Sequence, residues 1–174
     1  MSPAGIPMFY GALNKETAVA ETYDPNKQTD EQVVVAGLFN PSRSMILLDL
    51  TKEINYISLF DEKRRGELEI SLFVKNFISD LKKPISRENG IEHIEYILTQ
   101  VVTEYIRQRV KDNSGNSIDG IIYGSVKGDD KAVVLFVDNE RCVLDIGDLD
   151  HEPGLVYKSH EILENLKSNK DLSQ

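Results

Sequence analysis

The stretch Ile118-Asp119-Gly120-Ile121-Ile122-Tyr123-Gly124-Ser125, followed closely by Ala132-Val133-Val134-Leu135-Phe136-Val137-Asp138, carries two apolar runs of strand length with no helical segment between them. Short apolar runs rich in β-branched residues and bounded by Gly or Asp read as strands. Two strands in direct succession do not fit a doubly wound sheet, in which strands alternate with helices. The stretch therefore decides for an α+β domain. Arg141 to Ile146 continues the pattern as a third strand, meeting the second across Asn139-Glu140, a connection of hairpin length. Beyond Gly154 come a further strand or helical turn and a polar tail, Ser168 to Gln174, expected to fray.

Upstream, the apolar period changes. From Glu67 to Lys82, Ile70, Phe73, Val74, Phe77, Ile78 and Leu81 recur at helical spacing, and Pro84 ends the run. A second helix is expected from Ile91 to Val110, with Ile94, Ile97, Leu98, Val101, Val102 and Tyr105 on one stripe; both stripes read as core. The loop Asp112 to Asn116 closes it. Earlier still, Val33 to Phe39 and Met45 to Leu50 read as strands joined by the turn Asn40-Pro41-Ser42. At the front, Gly5 to Gly11 suits a buried strand interrupted by Pro7, and Asn14 is placed to cap a short helix carrying Glu16 in its first turn. Within that helix Glu21 shares a face with Thr17 and Ala18, so small side chains leave room for something to approach its carboxylate.

The 174 residues suffice for one domain with a real core, and 40% hydrophobic with 28% charged residues is an ordinary globular composition. A net charge of −9, with the basic residues scattered, argues against nucleic acid as the main partner, because a duplex binder needs a basic stripe. Lys63-Arg64-Arg65 lies among acids and reads as a solvated loop. One cysteine, Cys142, permits no intrachain disulfide; in its apolar run it reads as a structural thiol. With neither a signal-peptide pattern nor an apolar run of spanning length, a cytoplasmic protein without direct membrane contact is expected.

Phosphate-binding, dinucleotide-binding and zinc motifs of the usual spacing are missing, and His93, His151 and His160 share no ligand spacing, so no metal is expected. The acidic stretch Asp148 to Glu152 around His151 lacks the glycine and spacing of a calcium loop. What the sequence does hold is a set of blocks in order. Ser2-Pro3-Ala4-Gly5-Ile6-Pro7-Met8-Phe9-Tyr10-Gly11-Ala12 is followed by Glu16-Thr17-Ala18-Val19-Ala20-Glu21, then Tyr96-Ile97-Leu98-Thr99-Gln100, then Asp119 to Ser125 with Val133-Val134-Leu135-Phe136 after it. In this order, over Ser2 to Phe136, the chain resembles a RES domain, a family named for an arginine, a glutamate and a serine. Glu21 matches the family's glutamate, Tyr10 the tyrosine before it, and Ser125 the serine. The arginine of relatives with this opening falls directly before the position held here by Met1, and Arg43 and Arg87 lie outside every matching block.

The resemblance implies a RES-like domain over residues 1–165, with 166–174 as a disordered tail and the segment Met1 to Pro7 loosely packed. It implies a split, mostly antiparallel sheet with flanking helices, like that of ADP-ribosyltransferases. It implies a bacterial NAD+ glycohydrolase, the toxin of a toxin–antitoxin pair, with activity weakened where the arginine is lacking. NAD+ is then substrate and no cofactor is required. Catalytic roles fall to Glu21 and Ser125, and substrate binding to Tyr10 and Tyr123. A helix-turn-helix antitoxin and a second copy of the chain are the partners implied. Two alternatives share the same residues: an inactive binding module, and an ADP-ribosyltransferase acting on a protein acceptor.

Overall fold

A computed structural model describes residues 5–22, 33–52, 57–58, 60–81, 92–125, 127, 130–144 and 154–163. Strand β1 (Phe9–Ala12) leads into helix α1 (Lys15–Thr22). Strands β2 (Val34–Pro41) and β3 (Leu47–Asp49) come next, then a short 3-10 turn and helices α2 (Arg65–Leu81) and α3 (Glu92–Arg109). The remainder is β4 (Gly120–Gly124), β5 (Lys131–Leu135), β6 (Cys142–Val143) and β7 (Leu155–Leu163). Met1 to Ala4, Arg87, Asp148 to Glu152 with His151, and the C-terminal tail lie outside the described residues. Pairing in β1 begins only at Phe9, later than the glycine-bounded run suggests.

The expected α+β class, with a split and mostly antiparallel sheet, is what the chain adopts. One sheet runs β1-β5-β4-β3 and the other β2-β7-β6; β3–β4 and β6–β7 are parallel, and the other pairs are antiparallel. Strands β4 and β5 sit centrally in the first sheet and are apolar on both faces. Successive strand residues point to opposite sides. Ile121 accordingly packs with Leu50, Phe77, Ile106 and Ile118 on the side of the long helices, while Val133 and Leu135 join Val137 and Leu155 on the side of the second sheet. Gly120 is required at the start of β4, because a Cβ there would lie 2.4 Å from the carbonyl oxygen of Val134.

Two expectations need correction. Arg141 does not begin a strand hairpinned to β5. Asn139–Arg141 is a 3-10 turn whose Asp138 carboxylate accepts the Arg141 N–H at 3.0 Å, and the short β6 then pairs with β7 instead. The turn redirects the chain from one sheet to the other, which the hairpin-length connection could not reveal. The apolar stripes of α2 and α3 are also not wholly core. Phe77, Thr99, Thr103 and Ile106 are buried, but Ile70, Phe73, Ile97, Val101 and Tyr105 are exposed, Tyr105 at 62%. Helical period marks an apolar face without saying how much of it a neighbour covers.

Lys63-Arg64-Arg65 is solvated as expected, though helical: Arg64 pairs with Glu67 at 2.8 Å and Arg65 approaches Glu69 at 3.9 Å. Cys142 is half-buried, and its thiol is held above its usual pKa by burial and then by the Asp138 carboxylate, as suits an unreactive thiol. Among the described residues no helix is long and apolar enough to cross a membrane.

Candidate active site

Strand register places the first pieces. In β5, Val134 lies opposite Tyr10 of β1 on one side and Ile121 of β4 on the other; Ala132 lies opposite Ala12 and Tyr123 in the same way. Tyr10 and Tyr123 therefore stand on the same face of the sheet, two strands apart and two residues out of register, a spacing of about 12 Å. The small Ala132 and Ala12 continue the row of Tyr123, and Ala132 is fully buried. Helix α1 packs near β1 and β5 of this sheet and near β2 of the other.

Local chemistry sets the helix. Asn14 caps it as anticipated: its Oδ1 accepts the Thr17 N–H at 2.8 Å, and Thr17 is the residue of α1 that the fold buries. The burial of Thr17 turns the face it shares with Glu21 inward, toward the end of β4. There the Ser125 hydroxyl donates to Glu21 Oε1 at 2.5 Å across 104 residues of sequence. This is the length of a charge-assisted O–H···O⁻ bond. The glutamate and serine picked out from separate blocks are thus in direct contact, with both tyrosines on the adjoining strands.

Tyr123 is half-buried, and its phenol is pushed up to about 12 by burial first, then by the Glu21 carboxylate and by Tyr10. It remains a neutral O–H donor throughout the physiological range. Tyr10 is 48% exposed and sits at the lip of a groove of about 670 Å³ between β1, α1, β2 and β7. Phe9, Tyr10, Phe39, Ala18, Val19 and His160 are among its lining; Glu21 and Ser125 are not. The groove therefore runs along the outer side of α1, past Ala18 and Thr22, while the glutamate–serine contact lies outside its lining.

Arg43 has a definite structural task elsewhere. Its guanidinium forks onto the Asp119 carboxylate at 2.6 and 3.0 Å, and Asp119 also accepts the Ile46 N–H at 2.9 Å. The guanidinium hydrogen bond holds Asp119 below the usual carboxylate range against the opposing effect of burial. The Asp-Gly that opens the serine block thus docks the segment before β3 onto β4, an architectural role that sequence did not disclose. Also missed was the loop between β4 and β5. Asn14 Nδ2 donates to Asp130 Oδ2 at 2.7 Å, Leu13 N–H to the Lys131 carbonyl at 3.2 Å, and Lys127 Nζ to the Glu21 carbonyl at 3.2 Å. Polar residues in a hairpin loop carry no periodic signal, so only the fold could show what they grip.

Among the described residues no group of three or more His, Cys, Asp or Glu is arranged to hold a metal ion. A family model described as RES domain matches residues 1–158. No significant match was found among curated proteins or among solved structures.

Proposed function

Because that match spans most of its length, the chain belongs to the RES domain family, and we propose that it cleaves the nicotinamide–ribose bond of NAD+. The observation that carries this reading is the Ser125–Glu21 hydrogen bond, which holds a carboxylate beside two tyrosines. Breaking the bond sends its electron pair away with neutral nicotinamide and leaves oxocarbenium character on the ribose, as in glycoside hydrolysis. Glu21 is the group suited to that charge, acting through its carboxylate and by accepting a hydrogen bond from a ribose hydroxyl. Water then adds to the ribose carbon and releases ADP-ribose and a proton.

Ser125 acts in this reading as an orienting group. Its proton is directed at Glu21, so it fixes the carboxylate instead of attacking the sugar. Tyr123, held neutral, is suited to donate a hydrogen bond beside it, and Tyr10 offers an aromatic wall on which a base can stack. Depletion of NAD+ is the chemistry by which such a protein acts as a bacterial toxin. A helix-turn-helix antitoxin is the partner that the family suggests, and the cytoplasm is where the substrate is met.

Nicotinamide release from NAD+ tests the reading. Glu21→Gln keeps size and hydrogen bonding but lacks the negative charge, and a loss of about a hundred- to a thousandfold is expected with the thermal midpoint unchanged. Parent-level release by Glu21→Gln would refute the assignment. ADP-ribose appearing free in step with nicotinamide identifies water as acceptor; ADP-ribose bound to protein identifies a transferase.

A further inference from the structure

Glu21 sits in the last turn of a helix of only eight residues. Such a helix, about 12 Å long, is marginal by itself. Its final carbonyls have no intrahelical partner, and its last turn carries no basic residue to meet the negative end of the dipole. A frayed last turn would carry the Glu21 carboxylate away from Ser125. One residue outside the helix touches both halves of this contact. Lys127 donates its ammonium to the Glu21 carbonyl at 3.2 Å and its main-chain N–H to Ser125 Oγ at 3.2 Å. The second bond occupies the hydroxyl oxygen from the loop side, leaving the hydroxyl proton to point at Glu21.

The loop that bears Lys127 is itself braced. Ser125 N–H donates to the Asp130 carbonyl at 3.0 Å, closing the loop, and the Asp130 carboxylate takes Asn14 Nδ2 at the opposite end of α1. Asn14 is the residue that caps the helix start. The β4–β5 loop therefore grips α1 at both ends, with Asp130 on its N-terminal cap and Lys127 on its C-terminal turn.

We propose that Lys127 is a positioning residue, clamping the last turn of α1 so that the Glu21 carboxylate stays on the Ser125 hydroxyl. The kinetic part of this proposal rests on the reading of Glu21 as the carboxylate that meets NAD+. The full chain is assayed with NAD+ as the probe. Lys127→Ala is expected to lower kcat for nicotinamide release about ten- to hundredfold while KM stays within about threefold of the parent. A misplaced carboxylate weakens the transition state without weakening ground-state binding. Lys127→Arg, which retains a cation of similar reach, is expected to recover most of the rate. Combined with Glu21→Gln, Lys127→Ala is expected to add no further loss, because it acts only through Glu21.

A raised KM at unchanged kcat would make Lys127 a substrate ligand and overturn the proposal; additive losses in the double variant would do the same. Amide hydrogen exchange across Thr17 to Thr22 reads the clamp without any substrate. Faster exchange in Lys127→Ala supports it, and unchanged exchange overturns it. This second measurement stands even if the parent chain releases no nicotinamide and the NAD+ reading itself has failed.

Discussion

Helix α1 and the pair α2–α3 are held to the rest of the fold by opposite means. The short α1 buries one residue, Thr17, and is tied by directional polar contacts that reach far along the chain: Asn14 to Asp130, Lys15 to Glu161 at 3.0 Å, Ser125 to Glu21 and Lys127 to the Glu21 carbonyl. The long helices, 17 and 18 residues, are held through Phe77, Ile106, Val74, Ile78 and Val102 against Ile121 and Leu50. Apolar burial stabilises without specifying geometry closely, whereas a hydrogen bond holds only within a narrow range of distance and angle. The molecule thus builds its bulk from area and its candidate site from direction.

Three substitutions probe that contrast. The largest effect on stability is expected at Ile121, which is fully buried at the centre of the helix-facing core. Ile121→Ala should cost about 2–5 kcal/mol in denaturant unfolding, through lost transfer energy and the cavity left behind. A cost well below this would show that α2 and α3 are only loosely seated. Ser125→Ala should leave stability close to the parent but slow nicotinamide release about two- to tenfold, the worth of one orienting hydrogen bond of 0.5–1.5 kcal/mol. A complete loss of rate would instead give Ser125 a direct part in the bond cleavage.

The smallest change is expected on the outward side of α3. Val101 is 59% exposed, and Val101→Gln should shift unfolding free energy by no more than about 0.5 kcal/mol. A larger loss, especially one that depends on protein concentration, would reveal a covering partner for the row Ile97, Val101 and Tyr105, and α3 would then be stabilised by area on both sides.

Much of the molecule was legible before its structure. The existence and type of α2, α3, β4 and β5 follow from period, since side-chain direction repeats every 3.6 residues in a helix and every two in a strand. The Asn14 cap was legible because capping chemistry is local: a short polar side chain meets a backbone N–H three residues on. Glu21, Tyr10 and Ser125 stood out through ordered blocks of sequence, which name residues without giving distances.

What the tertiary structure alone decided is who meets whom. Met45 to Leu50 and Val33 to Phe39 are neighbours in sequence, yet β3 and β2 belong to different sheets. The strand after Asn139-Glu140 pairs with β7 and not with β5, because Asp138 stabilises a 3-10 turn that sends the chain across. Ser125 finds Glu21, Arg43 finds Asp119 and Lys127 caps α1 over separations at which local sequence holds no record of distance. Period and capping are set by the nearest few residues, and so can be read from the chain. Partnership across the fold is set by how sheets and helices pack at once, and only that packing brings the carboxylate, the hydroxyl and the loop lysine together.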